Sequence, residues 1–259
     1  MKLGFIGMGN MPYAILKGIL KAEFISPEDI LAFDLNTEKL CATAKETGIG
    51  MAASSVEIAE KSDIIVMAVK PAVVPSVVAE INEAAAEKAI LSIAYNIGFA
   101  DYKEKFGCKA RVQFIVPNIP CMALAGMTLF EDKTDFTAEE LAFVHAMFEA
   151  VGKITTLPMK LMPVAGGLTS CGPAFAAMIA ESFADAVVYY GLPYDTAYEL
   201  AAQLLTGTGS LLSETGLIPA KLKNNVCSPG GYTIRGVKSL EEDGLRAAII
   251  HAVEKTITG

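Results

Sequence analysis

The chain opens on "KLGFIGMGNM", an apolar run that stops on two glycines and gives way at once to helix formers. Glycine at position 7 permits a tight reversal. Glycine at position 9 leaves bare backbone at the start of a helix, where unpaired N–H groups attract an anion. A regular alternation then sets in. Runs that read as strands lie at 2–6, 30–34, 50–52, 64–68, 89–92, 111–115, 127–130 and 154–156, with helical patterns at 13–22, 37–47, 74–86 and 138–150 between them. "DIIVMAV" and "AILSIA" are apolar almost without interruption, the pattern of strands covered on both faces. Strands and helices in alternation predict a parallel, doubly wound α/β sheet.

Beyond residue 157 the strand signals stop. Helical patterns cover 173–190, 194–214, 219–226, 233–242 and 244–256, with Gly191, Gly216 and Gly244 punctuating their ends. The expectation is two domains: a dinucleotide-type α/β domain over 1–157 and an all-α domain over 158–259. The helices of the second are apolar round most of their circumference, as in "AAMIAESFADAVVYYG". About 100 residues cannot bury that many faces alone, which predicts a homodimer built by the C-terminal domain. The most apolar stretch, 168–191, carries Glu181 and Asp185. A membrane span needs about 20 residues nearly free of charge, so this reads as a buried helix and no membrane partner is expected.

The net charge of −8 argues against nucleic acid and anionic membranes. Five cysteines form no CxxC pair, so neither a metal site nor a disulfide framework is expected, and the thiols fit a cytoplasmic protein. The N-terminus reads straight into a strand, without a signal peptide.

Gly7 and Gly9 between a first strand and a first helix match the Rossmann dinucleotide fingerprint, with the backbone of Asn10 and Met11 at the helix start. The third glycine is replaced by Pro12, which a first helical turn tolerates. Asp34 closes the second strand and suits the ribose hydroxyls of NADH while repelling the 2′-phosphate of NADPH; the nearest cation is Lys39. Ala68, Val69 and Lys70 stand at the C-terminal end of the fourth strand, and Pro117 and Asn118 at the end of the sixth, where such sheets bind ligands. A second anion cradle is "SPGGYTIRG" at 228–236. Ser228, Gly230, Gly231 and Tyr232 offer a hydroxyl and backbone N–H donors at a helix start, and Thr233 adds one further hydroxyl. No His, Cys or carboxylate lies in the stretch.

"GFIGMGNM", "MAVKP", "VPNIP", "LTSCGPAF" and "NNVCSPGGYTIRGVKSLEEDG" occur in the order found in pyrroline-5-carboxylate reductases. The chain resembles that family along essentially its whole length. The resemblance implies reduction of Δ1-pyrroline-5-carboxylate to L-proline by NADH or NADPH. It also implies an intertwined homodimer, in some members assembled into decamers. It places the substrate carboxylate at Ser228, Gly230, Gly231 and Tyr232, and the ring nitrogen at Thr233. Asn225 matches a position that reaches the cofactor, and Ser55 stands where relatives often carry Asn near the adenosine. An imine nitrogen can arrive protonated, so the lack of a strong base is no obstacle, and His145 and His251 lie outside every motif.

Departures from the pattern are Pro12, Tyr95, Asn96 and Tyr232, the last three around the pocket. A reductase of another small cyclic imine, and a dinucleotide-binding paralogue without turnover, therefore stay open. A β-hydroxyacid dehydrogenase is disfavoured, because the long helix after the sheet domain carries no Lys.

Overall fold

The computed structural model describes residues 1–258, which divide into two compact units, the first ending at Ser170 and the second beginning at Cys171. The first unit contains β1 (Leu3–Ile6), α1 (Asn10–Lys21), β2 (Ile30–Phe33), α2 (Thr37–Thr47), β3 (Gly50–Met51), α3 (Ser55–Lys61), β4 (Ile64–Met67), α4 (Val74–Ile81), β5 (Ala89–Ser92), β6 (Arg111–Val116), β7 (Gly126–Thr134), α5 (Ala138–Ala150), β8 (Gly152–Leu157) and α6 (Met162–Thr169). The second contains α7 (Gly172–Val188), α8 (Tyr194–Thr215), α9 (Pro219–Val226), α10 (Tyr232–Glu242) and α11 (Leu245–Thr258).

The strands form one eight-stranded sheet in the order β3-β2-β1-β4-β5-β6-β7-β8. β1 to β6 are parallel, as expected; β7 runs antiparallel to β6, and β8 is parallel to β7. The all-parallel expectation is thus corrected at β7. Residues 117–125 are too few for a crossover, which takes about a dozen or more, so the chain reverses. β7 also runs well past residue 130, through Glu131, Asp132 and Lys133, charged residues that do not read as strand.

Alternate strand residues feed two cores, one on each face. Leu3, Phe5, Ile64, Val66 and Leu91 join Ile15, Ile19 and Phe148 on one side. Ile6, Ile65, Met67 and Ile90 join Ile58, Val78 and Tyr102 on the other. Local signals set the helix ends: Asn36 Oδ1 accepts from Lys39 N–H at 2.9 Å to start α2, and Thr137 and Glu140 form a capping box on α5. The strand signals end at 157, yet α6 packs on the sheet through Met162, against Phe114, Val116 and Leu129.

In the second unit α7 packs along α8, and α10 along α11. Among its described residues the buried apolar ones are Ala184, Ala197 and Ala201. The expected burial of 168–191 is corrected: within one chain this segment is largely exposed, with Met178 at 65% and Tyr190 at 87%. Residues Met159–Val188 are long and apolar enough to cross a membrane by length and composition; two turn residues, Ser170 and Cys171, interrupt the helix, and it carries Glu181 and Asp185.

Candidate active site

The sheet order reverses between β1 and β4, and the crevice outside their C-terminal ends is where doubly wound sheets take ligands. β1 runs into Gly7, whose N–H donates to Phe33 O at 2.8 Å, and Ala68 N–H donates to Ile6 O at 2.9 Å. The two loops therefore leave the sheet side by side. Gly7 has φ of +98°, and a Cβ there would lie 2.6 Å from Ala68 O, so only glycine fits. At Gly9 a Cβ would meet nothing within 4 Å. The space beside it is open, and no side chain caps α1. Bare N–H groups facing an open cradle suit a pyrophosphate. Pro12 is buried in the first turn, where its missing N–H costs no helix bond.

Asp34 is held tightly. Its Oδ2 accepts from Met8 N–H at 2.6 Å, and its Oδ1 from Asn36 N–H at 2.7 Å. The carboxylate thus braces the glycine loop as well as facing the groove, a second task that spacing alone did not reveal. A groove of about 600 Å³ brings together Gly7, Gly9, Asp34, Ser55, Ala68, Val69 and Lys70. It is lined as well by Ser76 and Glu80 of α4. Those two escape sequence reading because they belong to no motif; only the one-turn spacing along an amphipathic helix hints at them. Asn10 is exposed beside the loop, with Lys39 Nζ 3.5 Å from its Oδ1, whereas the Met11 side chain packs on the core. These residues fit a nicotinamide dinucleotide.

Asn118 does not line this groove. Its Oδ1 accepts from Met127 N–H at 2.8 Å, and its Nδ2 donates to Thr169 O at 2.9 Å. The amide ties the exit of β6 to β7 and α6, with Pro117 buried beside it. Tyr95 lies close by on the loop after β5, its ring 3.2 Å from where a Cβ on Gly166 would be, and Asn96 takes a φ of +61°.

In the second unit the signature stretch is a turn into α10. Gly231 N–H donates to Ser228 O at 3.1 Å, Gly230 has φ of +70°, and the Ser228 hydroxyl folds over Gly231, where a Cβ would come within 2.3 Å of it. Gly231 stands at the helix start with no side chain capping it, so the N–H groups of Tyr232 and Thr233 head the helix. Tyr232 is 91% exposed and does not crowd the turn. Its ring lies under the Arg235 guanidinium at 5.7 Å, while Arg235 Nη2 donates to Gly230 O at 3.2 Å. Arg235 therefore fastens the turn, a role hidden in sequence because it depends on a helical side chain reaching back five residues. Thr233 borders an apolar groove of about 730 Å³ with Phe183, Leu204, Val226 and Cys227. Asn225 is exposed near the end of α9. His145 packs edge-on to Phe130 at 4.7 Å, and His251 is exposed on α11. Among the described residues no cluster of His, Cys, Asp or Glu could hold a metal ion.

A groove fit for a dinucleotide on a doubly wound sheet, followed by a helical unit with a glycine turn at an uncapped helix start, defines a nicotinamide-dependent oxidoreductase. Residues 159–259 match the family model described as pyrroline-5-carboxylate reductase dimerisation, and residues 2–96 match one described as NADP oxidoreductase, coenzyme F420-dependent. The pyrroline-5-carboxylate reductase of Treponema pallidum is 38% identical over 100% of this chain and 99% of its own length; that of Escherichia coli is 36% identical over 98% and 95%. Among solved structures, a Plasmodium falciparum pyrroline carboxylate reductase with NADP bound has a TM-score of 0.88 at 29% identity, covering 100% of this chain and 96% of its own. The chain belongs to the pyrroline-5-carboxylate reductase family.

Proposed function

We propose that the protein reduces Δ1-pyrroline-5-carboxylate to L-proline with NAD(P)H. The observation that carries this reading is the Gly230–Thr233 turn at the open start of α10, carried on a chain that also has the dinucleotide groove. When bound, the dinucleotide supplies a hydride to the imine carbon. The cradle of Gly7 and Gly9 with the start of α1 holds its pyrophosphate, and Asp34, Ser55 and the Ala68–Lys70 loop hold the adenosine half; Asn225 is assigned to the cofactor by its match to the family position alone. The Ser228 hydroxyl and the N–H groups from Gly230 to Thr233 hold the substrate carboxylate, helped by the dipole of α10. The Thr233 hydroxyl orients the ring nitrogen, which arrives protonated and leaves as the amine. Most of the acceleration comes from fixing two reactants in register.

NADH is the preferred cofactor in this reading. A 2′-phosphate would meet the carboxylates of Asp34 and Glu80, with Lys39 and Lys70 as the nearby cations. The chain acts as an intertwined homodimer that can assemble further into a decamer, works in the cytoplasm, and engages neither nucleic acid nor membrane. The test is dinucleotide oxidation at 340 nm with pyrroline-5-carboxylate and chromatographic detection of proline. Equal amounts of the two products support the reading, and no proline with either cofactor overturns it. Asp34→Ser should move the NADH/NADPH ratio of kcat/KM toward NADPH by about tenfold; an unchanged ratio removes Asp34 as the determinant.

A further inference from the structure

One buried acid has no part in the groove or the signature turn. Glu131 of β7 is 2% exposed, and none of the ion pairs among the described residues involves it. Its Oε2 accepts from Phe99 N–H at 2.8 Å. Phe99 is the first of the helical residues 99–105, so Gly98 is the capping position. Half of a capping box is present there, since Asp101 Oδ2 accepts from Gly98 N–H at 3.0 Å. The other half, a side-chain oxygen at the cap, is missing because residue 98 is glycine. Glu131 satisfies a different donor, the N–H of the first helical residue, and lies against the cap: a Cβ on Gly98 would lie 3.0 Å from Glu131 Oε2 and 2.9 Å from Met159 Sδ. A strand carboxylate thus holds the start of the helix from outside its own segment.

What this cap holds is the turn between β5 and the helix. Ile93 N–H donates to Met67 O at 3.1 Å, so the turn leaves the C-terminal edge of the sheet next to β4. It carries Tyr95, whose ring covers Gly166 near Val116, and Asn96 in its left-handed conformation. In a doubly wound sheet the dinucleotide crosses the switch point. With the adenosine half at Asp34, the nicotinamide half runs toward the exits of β5 and β6. We propose that Glu131 is a positioning residue for the nicotinamide half of the cofactor, acting through the Phe99 N–H to fix the turn that bears Tyr95 and Asn96. This rests on the dinucleotide reading of the groove. It also gives a task to a buried carboxylate that joins no ion pair among the described residues, a group that otherwise costs stability.

The test uses the full-length protein and titrates NADH, NADPH and 5′-AMP by fluorescence or calorimetry, with amide exchange at Phe99 followed in parallel. Glu131→Met keeps the volume and removes the acceptor. It should speed exchange at Phe99 and weaken NADH or NADPH by about fivefold, while 5′-AMP changes less than about twofold, because the adenosine half does not touch the turn. Glu131→Gln keeps an acceptor and should retain wild-type affinity. Gly98→Ser in the wild-type background, where its Cβ meets the carboxylate, should weaken NADH as well. Equal losses for 5′-AMP and NADH, or none for either, would overturn the proposal. Wild-type protein that binds no dinucleotide would overturn the functional reading, and this proposal with it.

Discussion

The two units of this chain solve the problem of burial in opposite ways. The sheet unit encloses Phe5, Phe114, Phe130, Phe148 and Tyr102 at 1% exposure or less, and needs nothing outside itself to do so. Among the described residues of the helical unit three alanines are buried, while Leu200, Leu204, Ile218 and Ile250 stay more than half exposed. The first is a domain in the ordinary sense. The second is half of one, and its apolar faces ask for a second copy. The groove that needs a rigid frame belongs to the self-sufficient unit, and the Thr233 turn to the one that depends on association.

The largest effect should come from breaking that association. Aspartate at both Met178 and Leu200 puts charge on two of the exposed apolar positions, neither of which lines the Thr233 groove. It should give a monomer by light scattering with activity down by about 100-fold or more, while dinucleotide affinity changes little. Dimers of normal activity would mean that the surface is covered in some other way.

Within the sheet unit, two glycines of one loop should separate stability from binding. Gly7→Ala forces a Cβ against Ala68 O in a backbone conformation that alanine resists. It should cost the sheet unit about 3 kcal/mol in denaturant unfolding. Gly9→Ala has room for its methyl group. It should leave stability within about 0.5 kcal/mol and raise the dinucleotide Kd about tenfold or more, because the methyl occupies the pyrophosphate's space. The reverse ranking would mean that this loop does not cradle the pyrophosphate.

The smallest effect is one of pH. Burial lifts the Glu131 carboxyl above the usual carboxylate range; the Phe99 N–H opposes the rise, Asp132 adds to it, Lys133 opposes and Asp101 adds. The folded protein therefore keeps this proton at pH values where the unfolded chain has released it. Stability from this group is full below the ordinary carboxylate range and is lost as pH rises through the raised value. Glu131→Gln never ionises, so it should be the more stable protein at pH 8, with the gap closing as pH falls into the ordinary carboxylate range. A gap that stays constant with pH would assign the difference to packing.

Sequence periodicity was enough for the frame and weaker for its edges. β1, β4 and β5 are legible because strands covered on both faces must be apolar throughout. The far half of β7 is not, because Glu131, Asp132 and Lys133 resemble a loop until the cap on residue 99 gives the first of them a reason to be inside. In the groove, Gly7, Gly9 and Asp34 are marked by spacing along adjacent strands, whereas Ser76 and Glu80 reach it from a helix with no motif. Arg235 and Glu131 act across turns on residues distant in sequence or one helical turn back, and such contacts leave no local pattern.

In the proposed reaction the groove binds the cofactor and the Thr233 turn completes the chemistry. Steady-state kinetics of Thr233→Ala, with the dinucleotide Kd determined on the same protein, test that division of labour at its root. The kcat/KM for pyrroline-5-carboxylate should fall about 100-fold while the dinucleotide Kd stays within about twofold of the wild type. Wild-type turnover in the variant, or a loss of dinucleotide binding that matches the loss of activity, would contradict it.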